Sequence, residues 1–402
     1  MKKVTFGNRV PNSGPLAAPD SIITVAKESE ALGFDSVWVH DHLTWTSEIH
    51  RTHISSGSDE ALERHVDPDF FEAMTTMAFL AGIVTKARIG MACLVVPCRN
   101  PIYAAKQVAS LDVLCGGRLD LGIGIGSPAT INSREYEILG VNRRQRGKIC
   151  DDYVRAMKAI WTTHPSSYEG PFVSFKDAEI FPKPAQKPHP PLWVGGWTEA
   201  AMARTARLGD GWIPAWLKPK DIGACFGKVK EMAQQNGRDP EKLELGIEVY
   251  VSIDDDSAKA KQDAMGTFQA SRGTYERQMS LEFLEQVSLI GSPQEIRDQI
   301  AAYSSAGVSH FELKFIYRLR SGQAPALRSY RKLALRNFWR KSVPSRVTTR
   351  HISCRRERIR SPMRSPSVSM RLAALAGDSE PLTAAAGWSS KFVVMIVVRL
   401  SL

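Results

Sequence analysis

The chain has little of what marks several large protein classes. Its six cysteines, at 93, 98, 115, 150, 225 and 354, include no C-x-x-C pair and no framework spacing. A chain of 402 residues has a large enough core to need no staples, so the cysteines read as reduced thiols. Near the C-terminus "FVVMIVV" is apolar for seven residues, far below the roughly 20 needed to cross a bilayer. Met1-Lys2-Lys3 begins like a signal peptide, but Gly7, Asn8 and Arg9 stand where its apolar stretch belongs. A cytoplasmic protein with no membrane partner is expected.

Acidic residues are scarce at one end only. From Leu319 onward 17 Lys and Arg meet 3 Asp and Glu, whereas residues 1–318 hold 36 against 39 and carry a net charge of −3. The formal charge of +11 therefore belongs to a tail in which arginine outnumbers lysine 14 to 3 and "RRERIRSPMRSPSVS" is low-complexity. This divides the chain into a body, 1–318, and a basic tail, 319–402. The tail raises binding to nucleic acid or an anionic surface as a function of a different class. Its arginines lack interleaved aromatics and regular spacing, which argues against that function. Residues 326–340 could form a last helix, with Leu327, Tyr330, Ala334 and Phe338 at helical spacing; disorder is expected beyond Lys341.

The body shows an alternation. Strand-like runs at 4–10, 36–40, 88–96, 118–125, 191–194, 211–216, 243–253 and 310–317 are separated by helical segments. Among those helices 146–161 puts Ile149, Tyr153, Met157, Ile160 and Trp161 on one stripe, and "SPQEIRDQIAAYSSAG" has Ser292 as N-cap, Glu295 three residues on and Gly307 as the stop. Eight strands in strict alternation predict an α/β fold, a TIM-like (β/α)8 barrel; an open doubly wound sheet uses the same elements. Insertions at 46–69 and 254–290 follow strands, which makes them lid candidates on the catalytic face. The insertion at 164–190 precedes a strand and is expected to pack as a hairpin.

Three constellations sit at strand ends. "LDLGIGIGSPAT" satisfies G-x-G-x-x-G/A from Gly124, but on the fourth strand, with Asp151 and Asp152 inside a helix, so it is not a dinucleotide fingerprint. Gly122, Gly124 and Gly126 either let a flat ligand approach the backbone or make room for a neighbouring strand. "WVHDHLTW" places His40 and His42 two apart after the second strand. A metal pair, a structural pair, or Asp41 and His42 as polar groups facing a ligand are all open; only His50, His53 and His65 could supply further ligands, and no metal is expected. Gly195 and Gly196, with Thr198 as N-cap of the next helix, form either an anion site suited to a phosphate or a plain turn.

These stretches together resemble the bacterial luciferase-like family of flavin- and F420-dependent oxidoreductases. The resemblance is carried by "GFDSVWVHDH" (33–42), "TKARIGMACLVVPCRNPIYAAKQVASLDVLCGGRLDLGIGIG" (85–126), "EYEILGV" (135–141), "FPKPAQKPHPPLWVGG" (181–196) and "ARLGDGWIPA" (206–215), with a weaker match at 290–315. It implies a barrel with the ring of FMN or F420 at its C-terminal mouth. Asp41 and His42 would lie near that ring, Ala92-Cys93 at a bulge of the third strand behind it, Gly124 and Gly126 beneath it, and Gly195, Gly196 and Thr198 around the cofactor phosphate. It further implies a small organic substrate, a separate reductase supplying the reduced cofactor, and a homodimer. The expected activity is that of a monooxygenase using reduced FMN and O2, with His42 moving a proton; the alternatives are F420-dependent hydride transfer and an inert flavin-storage protein. Arg99, Arg143, Arg144 and Arg146 are cations available for the acidic tail of F420. The chain departs from the family in having Ser127-Pro128 where relatives often carry Trp, and Ala92-Cys93 where many have Gly or Ser before Val. It also continues past "HFELKFIY" without the family's acidic final helix, so residues from about 319 are expected to be foreign to the fold.

Overall fold

The structure, a computed structural model, describes residues 3–13, 16–43, 69–126, 135–270 and 280–316, with the backbone alone for 267–270. Its strands in chain order are β1 (Thr5–Arg9), β2 (Ser36–Val39), β3 (Arg88–Val95), β4 (Leu119–Gly124), β5 (Ser166–Glu169), β6 (Ser174–Ala178), β7 (Leu192–Gly195), β8 (Gly211–Ile213), β9 (Glu244–Ile253), β10 (Leu289–Gly291) and β11 (His310–Phe315). Eight of them pair in parallel in the order β1-β2-β3-β4-β7-β8-β9-β11, and β11 returns to β1. That closure decides for the barrel against the open sheet, and all eight expected strand runs are in its wall. β5 and β6 form the antiparallel hairpin expected within 164–190.

β8 is only three residues long, and its pairing with the ten-residue β9 ends early. β10 takes the same edge of β9 further up, pairing Leu289–Gly291 with Val251–Ile253 while β11 occupies the other edge. The insertion after β9 thus completes the wall where β8 stops.

The helices are α1 (Pro19–Leu32), α2 (Ala73–Ala81), α3 (Pro101–Leu114), α4 (Arg146–Thr162), α5 (Glu199–Leu208), α6 (Pro219–Gln235), α7 (Ser257–Ala270), α8 (Leu281–Val287) and α9 (Pro293–Ser305). Their ends follow local chemistry. Asn100 accepts from the Ile102 and Tyr103 N–H groups at the start of α3, and Thr198 accepts from Ala201 at the start of α5. Ser292 and Glu295 form the expected capping box on α9, and Gly307 follows with φ of +100°. Two large apolar clusters fill the space between strands and helices, one around α2, α3 and α4 and one around α6 and α9.

Inside the barrel the fit is between large and absent side chains. Trp38 on β2 points inward over Gly90, its partner on β3, and over Gly7 on β1, where an added Cβ would lie 2.3 Å and 2.2 Å from the indole. Trp193 on β7 does the same against Gly211 and Gly246, at 2.4 Å and 3.2 Å. His310 stands between the two indoles, 5.2 Å from Trp38 and 5.5 Å from Trp193 between ring centroids. This layer plugs the lower part of the barrel interior.

The expected lid at 46–69 lies outside the described residues except for Asp69, as do 271–279 of the second lid, Ser127 and Pro128, the last helix at 326–340 and the whole tail. No helix among the described residues is long and apolar enough to cross a membrane.

Candidate active site

The expected residues lie at or just beyond the C-terminal ends of β2, β3, β4 and β7. After β2 the chain reaches Asp41 and His42. His42 Nδ1 lies 3.4 Å from Glu135 Oε2, and the other Glu135 oxygen accepts from the Leu43 N–H. Glu135 is fully buried on a helical turn at 135–138, which is anchored by the Tyr136 hydroxyl donating to the carbonyl of Ile125, just beyond β4. His42 keeps a partly exposed ring, which meets Phe70 edge-on at 5.5 Å.

Asp41 does not face the mouth as expected. It is 3% exposed, and its oxygens accept from Arg99 Nη1 and Nη2, both at 2.7 Å, and from the Val95 N–H at 2.9 Å. The pair clamps the chain after β2 to the end of β3. Arg99, also bonded to Glu72 at 3.0 Å, is thereby committed inside the protein and withdrawn from the cations that could meet an acidic cofactor tail. His40 bonds Ser13 through Nε2 at 2.7 Å, so the His-x-His spacing divides between two partners. Among the described residues no group of three or more His, Cys, Asp or Glu is placed to hold a metal.

On β3 the register against β4 shifts between Met91 and Leu94, and the Ala92-Cys93 peptide is cis. The Cys93 side chain crosses toward Gly124 and Gly195; a Cβ at Gly195 would lie 2.5 Å from its sulfur, and one at Gly124 3.3 Å from its Cβ. Burial pushes the thiol up, so it stays protonated. Gly122 answers the question left open for the β4 glycines differently from Gly124. A Cβ there would lie 2.0 Å from the Met91 carbonyl oxygen, so this glycine serves the close approach of β3. Gly126 has φ of +73°.

Gly195 ends β7. Gly196, with φ of +95°, turns the chain into α5, and its carbonyl accepts from Trp212 Nε1 at 2.8 Å. The turn and the first N–H groups of α5 open beside the Cys93 and Gly124 floor.

Sequence reasoning missed a set of charges on the inner wall. Arg9 on β1 donates to Glu312 on β11 at 2.7 Å, to Glu248 on β9 at 3.1 Å and to the Ala92 carbonyl at 3.4 Å, and Lys314 on β11 bonds Glu248. Burial pushes the Glu312 carboxyl up. For Glu248 burial acts in the same sense, but Lys314 and Arg9 outweigh it and hold the group at about 2. Charges at alternate positions in strands that should be nearly continuous apolar runs are the signal that would have found them.

Residues 3–310 match the family described as luciferase-like monooxygenase. The chain belongs to that family. As a luciferase-like monooxygenase family member it is an oxidoreductase. It is 24% identical over 339 residues to an F420-dependent glucose-6-phosphate dehydrogenase of Kineococcus radiotolerans, covering 77% of this chain and 94% of the relative. To an FMNH(2)-dependent dimethylsulfone monooxygenase of Pseudomonas putida it is 26% identical over 267 residues, covering 59% of this chain and 71% of the relative. Its fold matches a solved F420-dependent secondary alcohol dehydrogenase in complex with an F420-acetone adduct, with a TM-score of 0.65 at 19% identity over 84% of this chain and 99% of the other. In this family member, then, the strand ends carry a glycine turn at a helix N-terminus, a floor of glycines and the Cys93 side chain, and a histidine seated on a buried carboxylate.

Proposed function

We propose that the chain is a flavin-dependent monooxygenase that uses reduced FMN, supplied by a separate reductase, and O2 to oxygenate a small organic substrate. The observation that carries this reading is the junction of the exposed Gly196 turn and the start of α5 with the floor formed by Gly124, Gly195 and the small Cys93 side chain: a place for one phosphate beside a low-relief surface. Gly195, Gly196 and Thr198 would hold the phosphate, and Ala92, Cys93, Gly124 and Gly126 would lie against the ring. When bound, the flavin supplies the two-electron chemistry, with O2 for FMN and as hydride transfer for F420.

The protein's own part is proton handling. With Nδ1–H donated to Glu135, the His42 ring would present Nε2 as the nitrogen that takes or returns a proton at a substrate oxygen. Glu135 fixes that tautomer, and Asp41 and Arg99 act as positioning residues that hold the strand ends on which His42 sits.

F420 is the second reading, favoured by the similarity to the Kineococcus enzyme over 94% of that relative's length. Titrating the purified chain with reduced FMN and with F420 decides between them: F420 binding without affinity for FMN moves the assignment to hydride transfer. His42→Ala is expected to slow turnover about 100-fold and Glu135→Gln by a smaller factor, with cofactor affinity retained in both; an unaffected rate in His42→Ala ends its assignment.

A further inference from the structure

The ends of β8 and β9 carry rings, one of which, Trp216, also packs on the apolar cluster of Ala264, Leu284 and Ile290. Trp216, three residues past β8, lies against Tyr250 with ring centroids 5.2 Å apart and against Phe283 of α8 at 6.5 Å. It holds φ of +63°, in the left-handed region that a bulky residue seldom adopts, so the ring is kept there against a backbone cost. Tyr250 continues the inward series Gly246, Glu248, Tyr250 on β9. Its strand partner is Lys314, whose ammonium lies 4.9 Å from the Tyr250 ring centroid. Trp216, Tyr250, Phe283 and Lys314 are all half-buried.

The charges around this wall are already matched. Arg9 is bonded to Glu312 and Glu248, Lys314 to Glu248, and Arg99 to Asp41 and Glu72. Glu248, partly exposed and ionised, repels an anion, while Lys314 over the Tyr250 ring occupies the place a cation would seek. A phosphorylated substrate of the kind named for the Kineococcus relative needs cations that are not so committed.

We propose that the Trp216–Tyr250–Phe283 wall is the substrate subsite and that it takes a neutral, ring-bearing organic molecule rather than a phosphate, a carboxylate or an amine. The inference rests on the mouth being the reaction site, as proposed above. A ring laid against this wall gains aromatic contact, each such contact being worth about threefold to tenfold in affinity, and breaks no ion pair.

The test uses the full chain without cofactor and three probes that share one ring and differ in charge: benzyl alcohol, benzoate and benzylamine, with glucose 6-phosphate as a fourth. Calorimetry should give benzyl alcohol the tightest dissociation constant, by about tenfold over either charged probe, with no detectable binding of glucose 6-phosphate. Trp216→Ala and Tyr250→Leu should each weaken benzyl alcohol about threefold to tenfold. Equal or tighter binding of any charged probe, failure of benzyl alcohol to bind, or an unchanged constant in both variants overturns the proposal. The wild-type series needs no variant to fold. Cofactor titration is read separately: loss of both FMN and F420 binding defeats the proposed function, whereas cofactor binding with a reversed probe order defeats this inference alone.

Discussion

Two sets of glycines line the inside of this barrel, and the side chains opposite them separate their jobs. Gly7, Gly90, Gly211 and Gly246 lie midway down, where Trp38 and Trp193 fill the space a Cβ would take. Gly195 and Gly196 lie at the mouth, against a thiol and a helix start. The first set makes room for buried indoles; in the second, Gly195 makes room for the small Cys93 thiol and, on our reading, the exposed Gly196 turn leaves the helix start open to a ligand. A glycine in a barrel strand is therefore informative only together with what its neighbours send inward.

The largest expected effect breaks the lower set. Gly90→Ala puts a methyl 2.3 Å from the Trp38 ring, which cannot retreat in a plugged interior. Stability in urea should fall by about 3 kcal/mol, and Trp38→Phe in the same chain should recover part of it. A loss below about 1 kcal/mol would mean that the plug is loose.

Next comes the pH response of the same layer. Burial lowers His310 from 6.5 to about 4, with Thr5 Oγ1 2.8 Å from its Nδ1. The unfolded chain takes up a proton near pH 6.5 and the native one only near 4, so the stability present above 6.5 drains away as pH falls between those values. The total is about 3 kcal/mol. Urea midpoints at pH 7 and pH 4.5 should separate in the wild type and draw together in His310→Phe; equal slopes in both would remove His310 as the cause.

The upper set should behave in the opposite way. In Gly195→Ala the new methyl meets the Cys93 sulfur, the end of a side chain that can turn aside. Unfolding should shift by less than about 1 kcal/mol, while cofactor affinity falls about tenfold. Adding Cys93→Ala should restore the stability and leave the affinity low. Retained affinity in Gly195→Ala would take the turn out of the cofactor site.

Much of the architecture was legible because strand and helix signals are local: eight apolar runs, a capping box at Ser292 and a stop at Gly307. Barrel closure was less so, since β11 meeting β1 is a contact between the two ends of the body. At the mouth, the sequence located Asp41, His42, Gly195 and Thr198 by their strand ends, but Asp41 turned inward because Arg99, 58 residues on, offers it two hydrogen bonds. Glu135 was invisible as a partner of His42, 93 residues away. Arg9, Glu248, Glu312 and Lys314 each look like an isolated charge until the register sets them on one inner face.

Arg9 also has a mechanical meaning. A closed sheet is held by bonds between adjacent strands, and its softest deformation is flattening of the open end into an ellipse. From β1, Arg9 reaches β11 beside it, β9 beyond that, and the Ala92 carbonyl on β3 to the other side. One side chain thus works as a spoke set across the wall, tying β1 to β11, β9 and β3 against that flattening.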